Sequence, residues 1–217
     1  ERDPGSAYLI NSNLVARLAD YCGTHNAKLC HISTDHYFVG AGSRLHNEQA
    51  PVSLLNEYAR TKYAGERFAL TNASSLVVRT NIVGFRGWRQ PTFLEWAIGQ
   101  LTAGEHLTMF DDFFTSSIDV ASFAASLFDL LDVEVTGLIN LACRQACSKR
   151  DFIVKLASSL DLDLSKCAVG SVHTNVSTKR ADSLGLDVSY AESLLGYALP
   201  DTDTVIKNIT LEYRGKR

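Results

Sequence analysis

The strongest constraint on this chain is the way helical and extended apolar patterns alternate over its first third. Leu14, Val15, Leu18, Ala19 and Cys22 recur at helical spacing and predict a helix from about Asn11 to His25. Lys28-Leu29-Cys30-His31-Ile32 then reads as a short buried strand. Ser33 to Pro51 is polar and contains Gly40 and Gly42, which predicts a long surface loop leaving the strand's C-terminal end. A second helix is expected from about Leu55 to Thr71, and Ser75 to Thr80 is another β-rich run. Two strands joined through a helix lie parallel by the right-handed crossover, so the pattern is that of an α/β sheet with helices on both faces.

The rest of the chain extends the alternation. Phe93 to Leu101 reads as a helix, Leu107 to Phe110 as a strand, Ile118 to Leu131 as an apolar helix and Gly137 to Leu141 as a strand. Helices from about Lys149 to Leu160 and near Ala191 to Leu195 complete the expected elements. With 217 residues and 46% hydrophobic content, the chain can bury one sizeable core, with a smaller lobe from about residue 82 onward. A net charge of -3 without a basic run argues against nucleic acid as a partner. No apolar stretch approaches the roughly 20 residues that cross a bilayer, so no membrane partner is expected. The charged start Glu1-Arg2-Asp3-Pro4 is unlike a signal peptide, and the reading is of a cytoplasmic protein. Five cysteines, an odd number without a dense framework, are expected to be reduced thiols. Cys143 and Cys147 form a C-x3-C pair with no matching histidine cluster, so no metal is expected.

Open parallel sheets bind ligands at the carboxyl ends of their strands, which directs attention to the loop opening Ser33-Thr34-Asp35 after Ile32. On the following helix, Tyr58 and Lys62 are four residues apart and share a face near its N-terminal end. A phenol of pKa ~10 is a poor acid-base group at neutral pH, and a neighbouring ammonium moves it toward the working range. A hydroxyl from Ser33 or Thr34 can hold a substrate oxygen while Tyr58 moves its proton, leaving hydride transfer to a nicotinamide. Taken alone the Tyr-x-x-x-Lys spacing is weak, and Tyr58 as a half-buried helix residue with Lys62 as a solvated charge is the plainer alternative. Its place on a helix after a strand-end hydroxyl loop is what the chemistry requires.

The stretches His31-Ile32-Ser33-Thr34-Asp35-His36-Tyr37-Phe38-Val39-Gly40 and Asn56-Glu57-Tyr58-Ala59-Arg60-Thr61-Lys62-Tyr63-Ala64-Gly65-Glu66 resemble the dTDP-4-dehydrorhamnose reductase family of extended short-chain dehydrogenases/reductases. The 24-residue separation of Thr34 and Tyr58, the upstream Ala7-Tyr8-Leu9-Ile10-Asn11 and the later Arg79-Thr80-Asn81 fit the same resemblance. It implies a Rossmann-type, doubly wound parallel sheet with a smaller C-terminal substrate lobe. Residues 1–217 would form a single, partial domain, with 1–81 the end of the dinucleotide-binding core and 82–217 mixed core and substrate lobe. The resemblance makes Tyr58 the catalytic acid, Lys62 its pKa-lowering partner and ribose ligand, and Thr34 the hydroxyl at the substrate carbonyl. Ile32 would line the cofactor, NADP or NAD. Asp35 would contact the nucleotide-sugar substrate, Ile82 would lie at the sugar pocket and Arg180 would meet the diphosphate, or else be a surface charge. Asn81 is a site-facing amide or a turn residue, and Glu66 a solvated or ion-paired helix group. Thr115 or Ser116 is expected to cap the helix that follows them. His36, Ile82 and Lys179-Arg180-Ala181 depart from the family's tyrosine, aromatic and proline, which bears on the choice of sugar.

A dinucleotide-binding fold needs a first strand, a glycine-rich turn and a helix, and no such pattern precedes Lys28. Gly40-Ala41-Gly42 follows a later strand without a helix start and reads as loop. By the resemblance, roughly 60 to 70 residues holding the first strands and this turn would precede the chain, and without them the segment is expected to bind nicotinamide cofactor poorly. A parallel sheet lacking its first strands exposes an apolar edge, which favours a partner, a homodimer among them. Three readings remain open: a reductase of a nucleotide-activated 4-keto-sugar, an epimerase or dehydratase that keeps its NAD, and a non-catalytic nucleotide-binding regulatory subunit.

Overall fold

Strands buried on both faces of a parallel sheet are apolar wherever no buried partner compensates a charge: Leu76, Val77 and Val78 meet this, and Arg79, the fourth buried residue of the strand, is paired with Glu66. The computed structural model describes residues 3–174 and 179–216. Its helices are α1 (Pro4–Tyr8), α2 (Leu14–Thr24), α3 (Glu57–Ala69), α4 (Phe93–Ala103), α5 (Val120–Asp132), α6 (Lys149–Leu160), α7 (Ser189–Leu195) and α8 (Thr202–Gly215). The longer strands are β1 (Cys30–Ile32), β3 (Leu76–Arg79), β5 (Leu107–Phe110), β8 (Gly137–Asn140), β10 (Cys167–Gly170) and β11 (Ser183–Leu186). Two-residue strands β2 (Leu45–His46), β4 (Ile82–Val83), β6 (Phe114–Thr115), β7 (Ile118–Asp119) and β9 (Cys147–Ser148) lie between them. Among the described residues, no helix is long and apolar enough to cross a membrane.

The central sheet has the order β1-β3-β8, all parallel, with Ile32 opposite Val78 and Arg79 opposite Asn140. Val77 packs with Val15 of α2 and Ala69 of α3 on one face. Leu76, Val78 and Ile139 pack with Leu130 of α5 and Ala191 of α7 on the other. The side-chain alternation of a strand thus covers both faces with helices, as the sequence predicts. Elsewhere β5 pairs with β10, and a second sheet runs β2-β11-β6-β9. A separate core of Phe152, Leu156, Val205, Ile206 and Ile209 joins α6 to α8.

Several expectations are corrected. The first helix starts at Pro4, capped by Asp3, and passes through a π-helical turn, Leu9–Asn13, before α2. Ser33 to Pro51 is not a surface loop throughout: Tyr37 and Phe38 are fully buried, Phe38 stacks on His46 with centroids 4.1 Å apart, and β2 pairs with β11. Neither Thr115 nor Ser116 caps α5. Asp119 does, accepting from the Ser122 N–H, while Ser116 Oγ accepts from the Leu186 N–H. Strands β10 and β11 and helix α8 were not expected, although Asp201 caps α8 and Val205, Ile206 and Ile209 repeat at helical spacing.

α3 is tied to β3 by a buried ion pair. Glu66 and Arg79 are 1% and 3% exposed, with Arg79 Nη2 2.8 Å from Glu66 Oε2 and Arg79 Nε donating to both carboxylate oxygens. Removing one partner leaves an uncompensated buried charge, so Arg79→Met is expected to cost about 3–5 kcal/mol, whereas replacing both with apolar residues recovers most of the loss. Urea denaturation of the single and double variants checks this, and a single-variant cost below about 1 kcal/mol refutes it.

Candidate functional site

The site is assembled where β1 ends and α3 begins. Asn56 caps α3 by accepting from the Ala59 N–H at 2.9 Å, which places Tyr58 in the first turn and Lys62 one turn later on the same face. Lys62 Nζ donates to the Ile32 carbonyl at 2.8 Å and so fixes the helix face against the strand's carboxyl end. The helix comes close to the π-helical turn: a Cβ on Gly65 would lie 2.2 Å from the Asn11 carbonyl oxygen, so only glycine fits. Asn11 Nδ2 donates to Thr61 Oγ1 and Ser12 Oγ to the Thr61 carbonyl, which fastens the two helices in this position.

Beneath this surface lies a buried polar floor. Ser33 Oγ donates to Glu66 Oε1 at 2.5 Å and lies 3.2 Å from the Tyr37 hydroxyl, while the Arg79 guanidinium sits 5.0 Å from the Tyr37 ring centre. Ser33 is therefore engaged by the floor, and Thr34 is the hydroxyl left to face Tyr58. Beside it, Asp35 is 1% exposed, and its Oδ2 accepts from Asn81 Nδ2 at 2.7 Å. Asn81 Oδ1 in turn accepts from Ser117 Oγ at 2.7 Å, so this amide faces the cluster and is not a turn residue. His36 Nε2 is 3.8 Å from Asp35 Oδ1, and its ring meets the Tyr58 ring edge-on at 5.7 Å.

The electrostatics correct one expectation. Tyr58 is not pulled down by Lys62: burial pushes its phenol above the usual value, a hydrogen bond with Thr34 opposes this and the Asp35 charge adds to it. Lys62 spends its contact on the Ile32 carbonyl, and its own pKa is lowered by burial against the opposing charge of Glu66. Asp35 is raised by burial, opposed first by the His36 charge and then by the Asn81 hydrogen bond. Tyr58 thus holds its proton at neutral pH, as an acid must before it donates.

Other residues fall around this centre. Ile82, 43% exposed, lies in β4 just beyond Asn81. Arg180 is exposed and lines a cleft of about 510 Å³ together with Val39, Gly40, Leu55, His173 and Lys179. Asn56 Nδ2 donates to the Lys179 carbonyl at 3.2 Å, which brings the Arg180 segment to the start of α3. Sequence reasoning missed the Asn56 link and the closed polar floor. Only Asn56 carried a local signal, as a capping residue at the head of a helix.

His31 gives a test of this packing. Burial, then repulsion from Lys62, lowers its pKa from 6.5 to about 4 against the opposing charge of Glu66, and its Nε2 has no hydrogen-bond partner among the described residues. The unfolded chain takes up this proton below pH 6.5 and the folded chain only near pH 4, so stability falls on acidification across that window. Thermal melts should show a fall that is shallower in His31→Gln, and parallel pH profiles for the two proteins would disprove the assignment.

A family model described as RmlD substrate binding domain matches residues 1–214. The chain is 28% identical over 206 residues to "Probable low-salt glycan biosynthesis reductase Agl14" of Haloferax volcanii, covering 92% of this chain and 68% of that protein. A dTDP-4-dehydrorhamnose reductase of Mycobacterium tuberculosis is 31% identical over 156 residues, which cover 69% of this chain and 51% of the reductase. The crystal structure of the dTDP-4-dehydrorhamnose reductase of Bacillus anthracis in complex with NADP superposes with a TM-score of 0.88 at 23% identity, over 98% of this chain and 75% of that one. The fold is therefore the Rossmann-type α/β fold of that enzyme, and the chain spans between half and three quarters of the length of these proteins.

Proposed function

The chain belongs to the RmlD substrate binding domain family, and from that membership we propose that it is most of an NAD(P)H-dependent reductase of a nucleotide-activated 4-keto-sugar. The observation that carries this reading is the convergence of Thr34, Tyr58 and Lys62 at the carboxyl end of β1, with the lysine held by the Ile32 carbonyl. The relatives that share the fold or sequence include reductases of this class, one of them in complex with NADP.

The described residues fit one end of a dinucleotide. Lys62 uses one N–H on Ile32 and keeps two for the hydroxyls of a nicotinamide ribose, and Ile32 lines that place. No glycine-rich turn leading into a helix is present among the described residues to hold a pyrophosphate: Gly40 and Gly42, at φ +68 and +58, lie in the segment between β1 and β2. When bound, the dihydronicotinamide supplies hydride. The Thr34 hydroxyl orients the carbonyl oxygen, and the Tyr58 hydroxyl gives that oxygen its proton as the carbonyl carbon is reduced to an alcohol. The phenolate left on Tyr58 regains its proton from solvent, while Lys62 stays on the Ile32 carbonyl and the ribose. Asp35 and Asn81 border the sugar, Ile82 forms an apolar wall, and Arg180, in its cleft beside the start of α3, meets the diphosphate. On this reading residues 1–81 are the end of the dinucleotide-binding core, whose Thr34, Asp35 and Asn81 also face the sugar, and 82–217 combine core with the substrate lobe.

Oxidation of NADPH by the full-length protein with a panel of nucleotide 4-keto-sugars, dTDP-4-dehydrorhamnose included, tests the reading. Tyr58→Phe is expected to lower turnover about 10²- to 10⁴-fold while cofactor binding persists. Cofactor binding without turnover of any keto-sugar by the unaltered protein would sink the reductase reading and favour an enzyme that recycles its NAD, or a binding subunit.

A further inference from the structure

Tyr58 stands in the first turn of α3 and is 44% exposed, so its phenol borders open space. The ring of His36 stands against it on one side. The two rings meet edge to face, with centroids 5.7 Å apart and planes at 89°, an arrangement that the aromatic quadrupole favours. His36 is itself held from both sides along the chain. Asp35 before it and Tyr37 after it are both buried, and the Tyr37 N–H donates to the Asp35 carbonyl at 2.6 Å. The backbone at His36 is thereby fixed, and the freedom that remains is that of its side chain. Asp35 limits this too, because its Oδ1 lies 3.8 Å from His36 Nε2 while its other oxygen is held by Asn81, and Asn81 by Ser117. The His36 N–H also reaches Thr34 Oγ1 at 3.4 Å, so the residue touches both hydroxyl-bearing residues of the centre.

A phenolic O–H lies in the plane of its ring, because the oxygen conjugates with the ring, so whatever fixes the ring plane also fixes the direction of the proton. Aim of this kind matters to rate, since a misplacement of about 1 Å can cost about 10²-fold. The Asn56 cap fixes the backbone of Tyr58, but it leaves the ring free to turn about its long axis. Lys62 does not restrain it either, because its ammonium is engaged by the Ile32 carbonyl. Building on the reductase reading, we infer that His36 is a positioning residue for the proton donor: its ring, tethered at Asp35, sets the plane of the Tyr58 phenol and with it the direction in which the proton leaves. The task belongs to the ring and not to its charge, so an aromatic residue without ring nitrogens performs it as well.

The test compares the full-length protein with His36→Ala, His36→Gln and His36→Phe, measuring the single-turnover rate of keto-sugar reduction, its solvent deuterium isotope effect, the Kd for NADPH and Tm. Loss of an aromatic ring contact corresponds to roughly a two- to tenfold fall in that rate for His36→Ala. The solvent isotope effect should rise in the same variant, because proton delivery is the step impaired, while the Kd for NADPH and the Tm hold. His36→Phe should recover most of the rate, whereas His36→Gln, which offers Asp35 a polar group but no ring, should not. An unchanged rate in His36→Ala overturns the inference while leaving the reductase intact. Recovery by His36→Gln and not by His36→Phe assigns the residue to its contact with Asp35 and also overturns it. A fall in Tm with an equal loss of NADPH binding assigns His36 to structure alone, with the same consequence. If the unaltered protein reduces no keto-sugar, the functional reading fails and this inference fails with it.

Discussion

The ion pair between Glu66 and Arg79 holds the site in register. It joins the C-terminal half of α3 to the end of β3, and through Ser33 it also reaches the end of β1. Three elements from separate parts of the chain therefore meet on one carboxylate, and the Thr34, Tyr58 and Lys62 side chains stand on the elements so joined. Such a pair is weak evidence for stability as such, because desolvation offsets much of the attraction. Its value here is geometric: a bidentate guanidinium contact allows one rotation and one height of the helix against the sheet.

That geometry separates two roles which a single local motif would blur. Lys62 acts through a backbone carbonyl and its neighbours, while Tyr58 keeps a raised pKa from burial beside Asp35.

The α/β class, the parallel β1 and β3 and the central residues Thr34, Tyr58 and Lys62 were legible because each rests on local periodicity or a fixed spacing along one helix. Asn81 was left undecided in the sequence because its meaning depends on Asp35 and Ser117, far away in the chain. Tyr37 and Phe38 read as loop because polar neighbours and two glycines mask them, and their burial comes from packing under Arg79 and against His46. The α8 helix carries a cap in Asp201 and a period in Val205, Ile206 and Ile209, and both signals are local.

The hydrogen bond from Asn56 to the Lys179 carbonyl makes the cap of α3 a mechanical joint as well as a helix start. A load placed on the segment around Arg180 is carried by one side chain to the turn that presents the Tyr58 hydroxyl. On the proposed reading, grip on the distant end of a ligand and aim of the proton donor are therefore coupled quantities, and a ligand shortened at that end would forfeit speed as well as adhesion.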